Sequence, residues 1–170
     1  MAISIEQRVG NLLLEKGLKL CLAESCTGGL IANLITDIPG SSEYFVSGIV
    51  AYSYEAKEKL LGVKKQTLMD YGAVSKETVL EMADGARRNM EPFFPLDQLV
   101  GVSISGIAGP GGGMPGKPVG LVWIGLSTPS GNCAYQFLGT GNRIENKRFS
   151  AQKALDLLVE YLESYEKPGN

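Results

Sequence analysis

The chain has 170 residues, 44% of them hydrophobic, which fits one domain, residues 1–170, with a sizeable core. Its 16 basic and 18 acidic residues leave a formal charge of −2 with neither sign gathered into long blocks, a balance that does not favour nucleic acid as a partner. There is no histidine, so Ser-His-Asp, Cys-His and histidine-dependent metal sites are excluded, and a serine or cysteine nucleophile would need lysine, tyrosine or a carboxylate as its base.

The amino end, Met1 to Glu6, lacks the basic, apolar, small-residue order of a signal peptide, and the longest apolar runs fall short of a membrane span. A soluble cytoplasmic protein with no membrane partner is expected. Cys21, Cys26 and Cys133 are an odd set without metal-type spacing, which suits a reducing compartment; Cys21 and Cys133 read as buried strand residues.

Ile5, Val9, Leu12 and Leu13 share a helical face that Gly17 should stop, giving a first helix over about 4–16. A short strand over Leu18–Ala23 follows, then a helix over Leu30–Thr36 that leaves the Gly28-Gly29 turn. Phe45–Tyr52 reads as a second strand and Glu55–Leu61 as a helix stopped by Gly62, with another short helix ending near Tyr71-Gly72. Ser75 is a good N-cap for a helix whose apolar face carries Val79, Met82, Ala83 and Ala86. Leu99–Ser105 is apolar and β-branched enough for a buried strand. Val119–Ser127 and Cys133–Leu138 predict an antiparallel hairpin around a five-residue loop, Thr128 to Asn132, and a last helix should run from Arg143 to about Tyr165. Alternating helices and strands with one hairpin predict an α/β protein, a three-layer α/β/α sandwich on a mixed sheet.

Three segments carry chemistry. In Ala23-Glu24-Ser25-Cys26-Thr27-Gly28-Gly29, a hydroxyl follows a strand and glycine amides open a helix, so Ser25 is the candidate nucleophile and the amides of Thr27, Gly28 and Gly29 could hold an oxyanion. Ser25 and Thr27 also fit as plain helix caps. Cys26 should turn away and pack as an inert thiol.

Tyr52-Ser53-Tyr54-Glu55-Ala56-Lys57 offers two bases. An unperturbed lysine is neutral in only about one copy in a few thousand at pH 7, so Lys57 as base requires burial or nearby positive charge, and Tyr52 could instead relay the proton between Ser25 and Lys57. An exposed helical lysine and a core tyrosine are the plain alternative.

The loop Ser105-Gly106-Ile107-Ala108-Gly109-Pro110-Gly111-Gly112-Gly113 follows a buried strand and can form a concavity of backbone amides for an anion. Gly111 to Lys117 matches the opening of a phosphate-loop pattern but continues into Pro118 and a strand, so it is not one. Arg143, Lys147 and Arg148 place cations at the opening of the last helix, where they oppose its dipole; a bound phosphate or carboxylate would compensate, as would solvation.

These segments together, with Leu60-Leu61-Gly62-Val63 and Gly72-Ala73-Val74-Ser75, resemble the CinA carboxy-terminal domain family, the PncC-type nicotinamide-nucleotide amidohydrolases, over nearly the whole chain. The resemblance implies hydrolysis of the carboxamide of nicotinamide mononucleotide (NMN) to nicotinate mononucleotide and ammonia, with Ser25, Tyr52 and Lys57 as the catalytic group. It also implies Arg143 as a site residue and a homodimer or larger homo-oligomer. On this chemistry the amides of Thr27, Gly28 and Gly29 would hold the oxyanion, Arg143 and the loop with Ser105, Gly106, Gly109, Gly111 and Gly112 would bind the ribose phosphate, and no metal or other cofactor is needed. The family commonly has threonine where this chain has Ser105, and the approach Phe137 to Arg143 is two residues longer than usual. The reading from another class is a non-catalytic pyridine-nucleotide-binding or sensor module.

Overall fold

The computed structural model describes residues 3–167. Five strands form one mixed sheet: β1 Lys19–Glu24, β2 Phe45–Val50, β3 Leu99–Gly106, β4 Leu121–Thr128 and β5 Gly131–Leu138, in the order β2-β1-β3-β4-β5. The helices are α1 Ile5–Lys16, α2 Leu30–Thr36, α3 Tyr54–Leu61, α4 Lys65–Tyr71, α5 Lys76–Arg88 and α6 Arg143–Ser164. β1 runs parallel to β2 and β3 because helices intervene between these strands, whereas β3, β4 and β5 are antiparallel neighbours. Among the described residues, no helix is long and apolar enough to cross a membrane.

The period-2 alternation of the strands splits the core in two. Leu20 and Leu22 of β1 and Val100, Val102 and Ile104 of β3 face α1, α2 and α6, where they meet Val9, Leu13, Ile31 and Leu155. Cys21 and Ala23 of β1 and Leu99 of β3 face the other way, against Leu61, Leu68, Met82 and Ala86 of α3, α4 and α5. This is the expected three-layer sandwich. Full burial of a side chain such as Leu22 or Ile31 contributes about 1.5–3 kcal/mol. α5 lies close on the sheet because Gly101 and Gly125 carry no side chain. A Cβ at Gly101 would stand 2.2 Å from the Ala83 carbonyl oxygen, and one at Gly125 would stand 2.4 Å from that of Val79.

Four local expectations need correction. β2 ends at Val50 rather than Tyr52, because the carbonyls of Ala51 and Tyr52 turn to the Lys57 ammonium and Ser53 caps α3. β4 begins at Leu121 rather than Val119, since Gly120 has φ +92° and packs where a Cβ would meet the Gly139 carbonyl. The hairpin closes through Pro129-Ser130 alone. Thr128 pairs with Gly131 in the ladder, and the Thr128 hydroxyl donates to the Gly131 carbonyl at 2.7 Å. Cys133 is only half-buried, because β5 is an edge strand incompletely covered by α6.

Candidate active site

The chain goes from β1 through α2 on one face to β2, then returns through α3, α4 and α5 on the other face to β3. The carboxyl ends of three parallel strands therefore open at a reversal of connectivity, where α/β sheets leave a crevice. A cavity of about 250 Å³ lies there. Its lining comes from the ends of those strands: Ser25 and Cys26 after β1, Tyr52 and Lys57 after β2, and the segment that starts at Ser105 in the last residues of β3 and runs on past it, with Arg143 from α6.

Ser25 extends the β1–β3 ladder by one bond, its N–H donating to the Ile104 carbonyl at 3.0 Å, so its side chain is set by the sheet. Lys57 arrives from the first turn of α3, which Ser53 starts by accepting from Ala56 N–H at 3.1 Å. Its side chain is 1% exposed. The Nζ stands 2.8 Å from Ser25 Oγ, 2.8 Å from the Ala51 carbonyl and 3.3 Å from that of Tyr52. Burial disfavours the ammonium and lowers its pKa from 10.5 to about 8. A neutral amine keeps two N–H donors and one lone pair. The two carbonyls match the donors, and the lone pair is left for the Ser25 hydroxyl.

Tyr52 is elsewhere. It is 60% exposed, and its hydroxyl accepts from Arg143 Nη2 at 3.1 Å rather than touching Ser25 or the Lys57 ammonium. Arg143 also donates through Nη1 to the Gly109 carbonyl at 2.7 Å, so one guanidinium joins the glycine loop to the segment after β2. The longer approach to α6 thus delivers Arg143 to the cavity. Asn142 and Glu145 form a reciprocal capping box at that helix start.

The turn after Ser25 departs from expectation. Thr27, Gly28 and Gly29 do not line the cavity. Gly29 is the N-cap of α2 and has no side chain to cap it, so Glu24 does so from the end of β1. Its carboxyl accepts from Ile31 N–H at 2.6 Å and from the Thr27 hydroxyl at 3.2 Å. Burial raises the Glu24 pKa, and the amides of Ile31, Ala32 and Gly29 with the Thr27 hydroxyl oppose the rise. Gly28 N–H is taken by the Ser25 carbonyl at 3.0 Å. Cys26 N–H has no acceptor among the described residues. The Cys26 thiol is buried and pushed up to about 12 by desolvation, which fits a packed, unreactive group.

Ser105, Gly106, Gly109, Gly111 and Gly112 do line the cavity, and the backbone N–H groups of Ala108, Gly109, Gly111 and Gly112 have no acceptor among the described residues. No Asp or Glu is among the lining residues, which include Lys57 and Arg143. Ala73 and Val74, which stood in the sequence only within the Gly72 to Ser75 motif and not as site residues, close one wall from the turn before α5, and Asn146 was not singled out. Asn146 donates to the carbonyls of Ala108 at 3.0 Å and Gly141 at 2.9 Å and accepts from Gly141 N–H, fixing the glycine loop to α6. A signal was present: Asn146, Ser150, Ala154, Leu158 and Leu162 form a buried i, i+4 stripe, and its first member is polar.

The family model for the CinA C-terminal domain matches residues 2–162. A CinA-like protein of Desulforapulum autotrophicum is 49% identical over 158 residues, 92% of this chain and 36% of its own length. A putative competence-damage inducible protein of Caldanaerobacter subterraneus is 48% identical over 159 residues, covering 94% of this chain and 37% of its own. The chain thus spans little more than a third of these relatives. Among solved structures, a competence-damaged protein (CinA) superfamily protein of Klebsiella pneumoniae superposes with a TM-score of 0.87 at 31% identity, covering 95% of this chain and 97% of that one. A competence/damage inducible protein of Agrobacterium tumefaciens gives 0.83 at 37% identity, covering 96% and 100%. With its fold and nearly its whole length matched in this way, the chain belongs to the CinA C-terminal domain family.

Proposed function

We propose that the protein is a nicotinamide-nucleotide amidohydrolase that converts NMN and water to nicotinate mononucleotide and ammonia. The observation that carries the reading is the 2.8 Å contact between Ser25 Oγ and a buried lysine whose pKa lies near 8. A neutral Lys57 removes the Ser25 hydroxyl proton as Oγ bonds to the carboxamide carbon. The carbonyl π electrons move to oxygen, and Cys26 N–H, free and adjacent in sequence to the nucleophile, donates to the resulting oxyanion. As the tetrahedral intermediate collapses, the Lys57 ammonium returns the proton to the leaving nitrogen, and ammonia departs from a nicotinoyl ester of Ser25. Lys57 then takes a proton from water, whose oxygen bonds to the acyl carbon. The bond between the acyl carbon and Ser25 Oγ then breaks as Lys57 returns that proton to Oγ, which frees nicotinate mononucleotide and restores the hydroxyl.

Arg143 and the amides of the glycine loop are the anion-holding part, in keeping with a lining that has cations and no carboxylate. The chemistry calls on no metal, since the nucleophile and base come from the chain. The test is ammonia release from NMN by the purified protein, with EDTA present and with Ser25→Ala in parallel. Release that survives EDTA and is lost in Ser25→Ala is expected. Tight binding of NMN by the parent without release would replace the enzyme by a nucleotide-binding sensor module.

A further inference from the structure

The cavity has cations at its floor and on one wall, and a third stands outside its lining. Lys147 lies one helical turn after Arg143 on α6, and its Nζ is 3.8 Å from where a Cβ on Gly28 would be. The ammonium therefore sits over the turn that follows Ser25. It is half-buried, yet it has no hydrogen bond or ion pair among the described residues. The carboxylate that bears on the same turn, Glu24, is buried and turned to Ile31 N–H. One turn earlier on the same helix, Arg143 already has one nitrogen on the Gly109 carbonyl and another on the Tyr52 hydroxyl. One guanidinium so engaged is a poor match for a phosphate monoester, which carries about −1.5 to −2 charges near neutral pH.

We infer that Lys147 is the second cation of a phosphate subsite, beside Arg143 on α6 at the edge of the cavity, and that it makes the site select a phosphorylated carboxamide over its unphosphorylated riboside. The inference rests on the amidohydrolase reading for the identity of the substrate, but the phosphate chemistry can be read separately. Gly28 fits the same role. It leaves the space beneath the ammonium open, with φ +63°, a conformation that a side chain would strain.

The experiment compares the parent with Lys147→Gln and Lys147→Arg in two assays. Ammonia release is measured from NMN and from nicotinamide riboside, and inorganic phosphate binding is measured by calorimetry. Lys147→Gln is expected to raise KM for NMN about tenfold, leave kcat and riboside turnover within about twofold, and weaken phosphate binding by a similar factor, whereas Lys147→Arg stays near the parent. If the parent releases ammonia from NMN while Lys147→Gln matches it in KM and phosphate affinity, the subsite is wrong and the amidohydrolase stands. Equal losses on nucleotide and riboside would also overturn it, since they mean a structural role. If the parent releases no ammonia but phosphate binding falls in Lys147→Gln, the enzyme reading fails and the subsite stands.

Discussion

Lys57 reaches Ser25 Oγ with an ammonium that burial has brought down to a pKa of about 8. At pH 7 such a group is neutral in about a tenth of molecules, against about one in a few thousand for a free lysine. If it is the base, kcat/KM should climb about tenfold per pH unit below pH 8 and level off above it. Lys57→Arg, which holds its proton throughout this range, should lose at least about a hundredfold at every pH. An acid limb with a midpoint near 6, or an active arginine variant, would remove Lys57 from the proton transfer.

The same lysine should leave a signature in stability. Folded Lys57 gives up its proton near pH 8 and the unfolded chain near 10.5, so between these values the unfolded state binds more protons and stability rises with pH. Below pH 8 both states are charged and the folded one carries the desolvation cost. Relative to Lys57→Met, the parent should therefore gain stability from about pH 7.5 to about pH 10, by at most about 3 kcal/mol. The buried thiol of Cys21, whose raised pKa works in the opposite sense, is common to both proteins and cancels in the difference. Urea unfolding at the two pH values measures it, and a flat difference would mean that Lys57 titrates as a solvated group.

Much of this was legible in the chain. Leu30–Thr36 emerges as α2 with the expected bounds, because the glycine turn before it and the Asp37 to Ser42 turn after it are local signals. Ser25 and Lys57 stood out because each closely follows a strand, and in a parallel sheet those ends converge. Their direct contact was not legible, since it depends on the carbonyls of Ala51 and Tyr52 turning inward once β2 ends. The same turn sends Tyr52 outward, and strand alternation says nothing of a residue beyond the strand. Glu24 escaped for a different reason. Helix-cap patterns look at the residue before the first turn, and here the cap is supplied by a side chain from the preceding strand.

Glu24 supplies a third expectation. Glu24→Gln keeps a carbonyl oxygen for Ile31 N–H and the Thr27 hydroxyl and removes the need to bury a charge, so its stability near neutral pH should equal or exceed the parent's. Glu24→Ala leaves the Ile31 donor buried without a partner, which costs about 1–3 kcal/mol. Because burial raises the carboxyl pKa in the folded state, the unfolded chain loses its proton first as pH rises. Stability therefore falls with pH from the ordinary carboxylate value upward, and the glutamine variant should lack that fall. Thermal unfolding of the three proteins at about pH 4 and about pH 7 decides it; a parent clearly more stable than Glu24→Gln at the higher pH would count against a burial-strained carboxyl.

Tyr52 separates two mechanisms by magnitude. A tyrosine that relayed the proton between Ser25 and Lys57 would contribute about 10²–10⁴-fold to the rate, the range for acid–base groups. Its hydroxyl, however, is exposed and bonded to Arg143, while Lys57 touches Ser25 itself. Tyr52→Phe then removes one of two bonds that hold the guanidinium and leaves the other, to the Gly109 carbonyl, in place. The expected result is a rise of about twofold to fivefold in KM for NMN with kcat nearly unchanged, since one solvent-accessible hydrogen bond contributes about 0.5–1 kcal/mol. Arg143→Ala, which releases both the loop and the tyrosine and removes the charge, should raise KM far more. Steady-state kinetics on the two variants distinguish the roles: a collapse of kcat in Tyr52→Phe with KM intact would restore the relay and make the Ser25–Lys57 contact a resting arrangement.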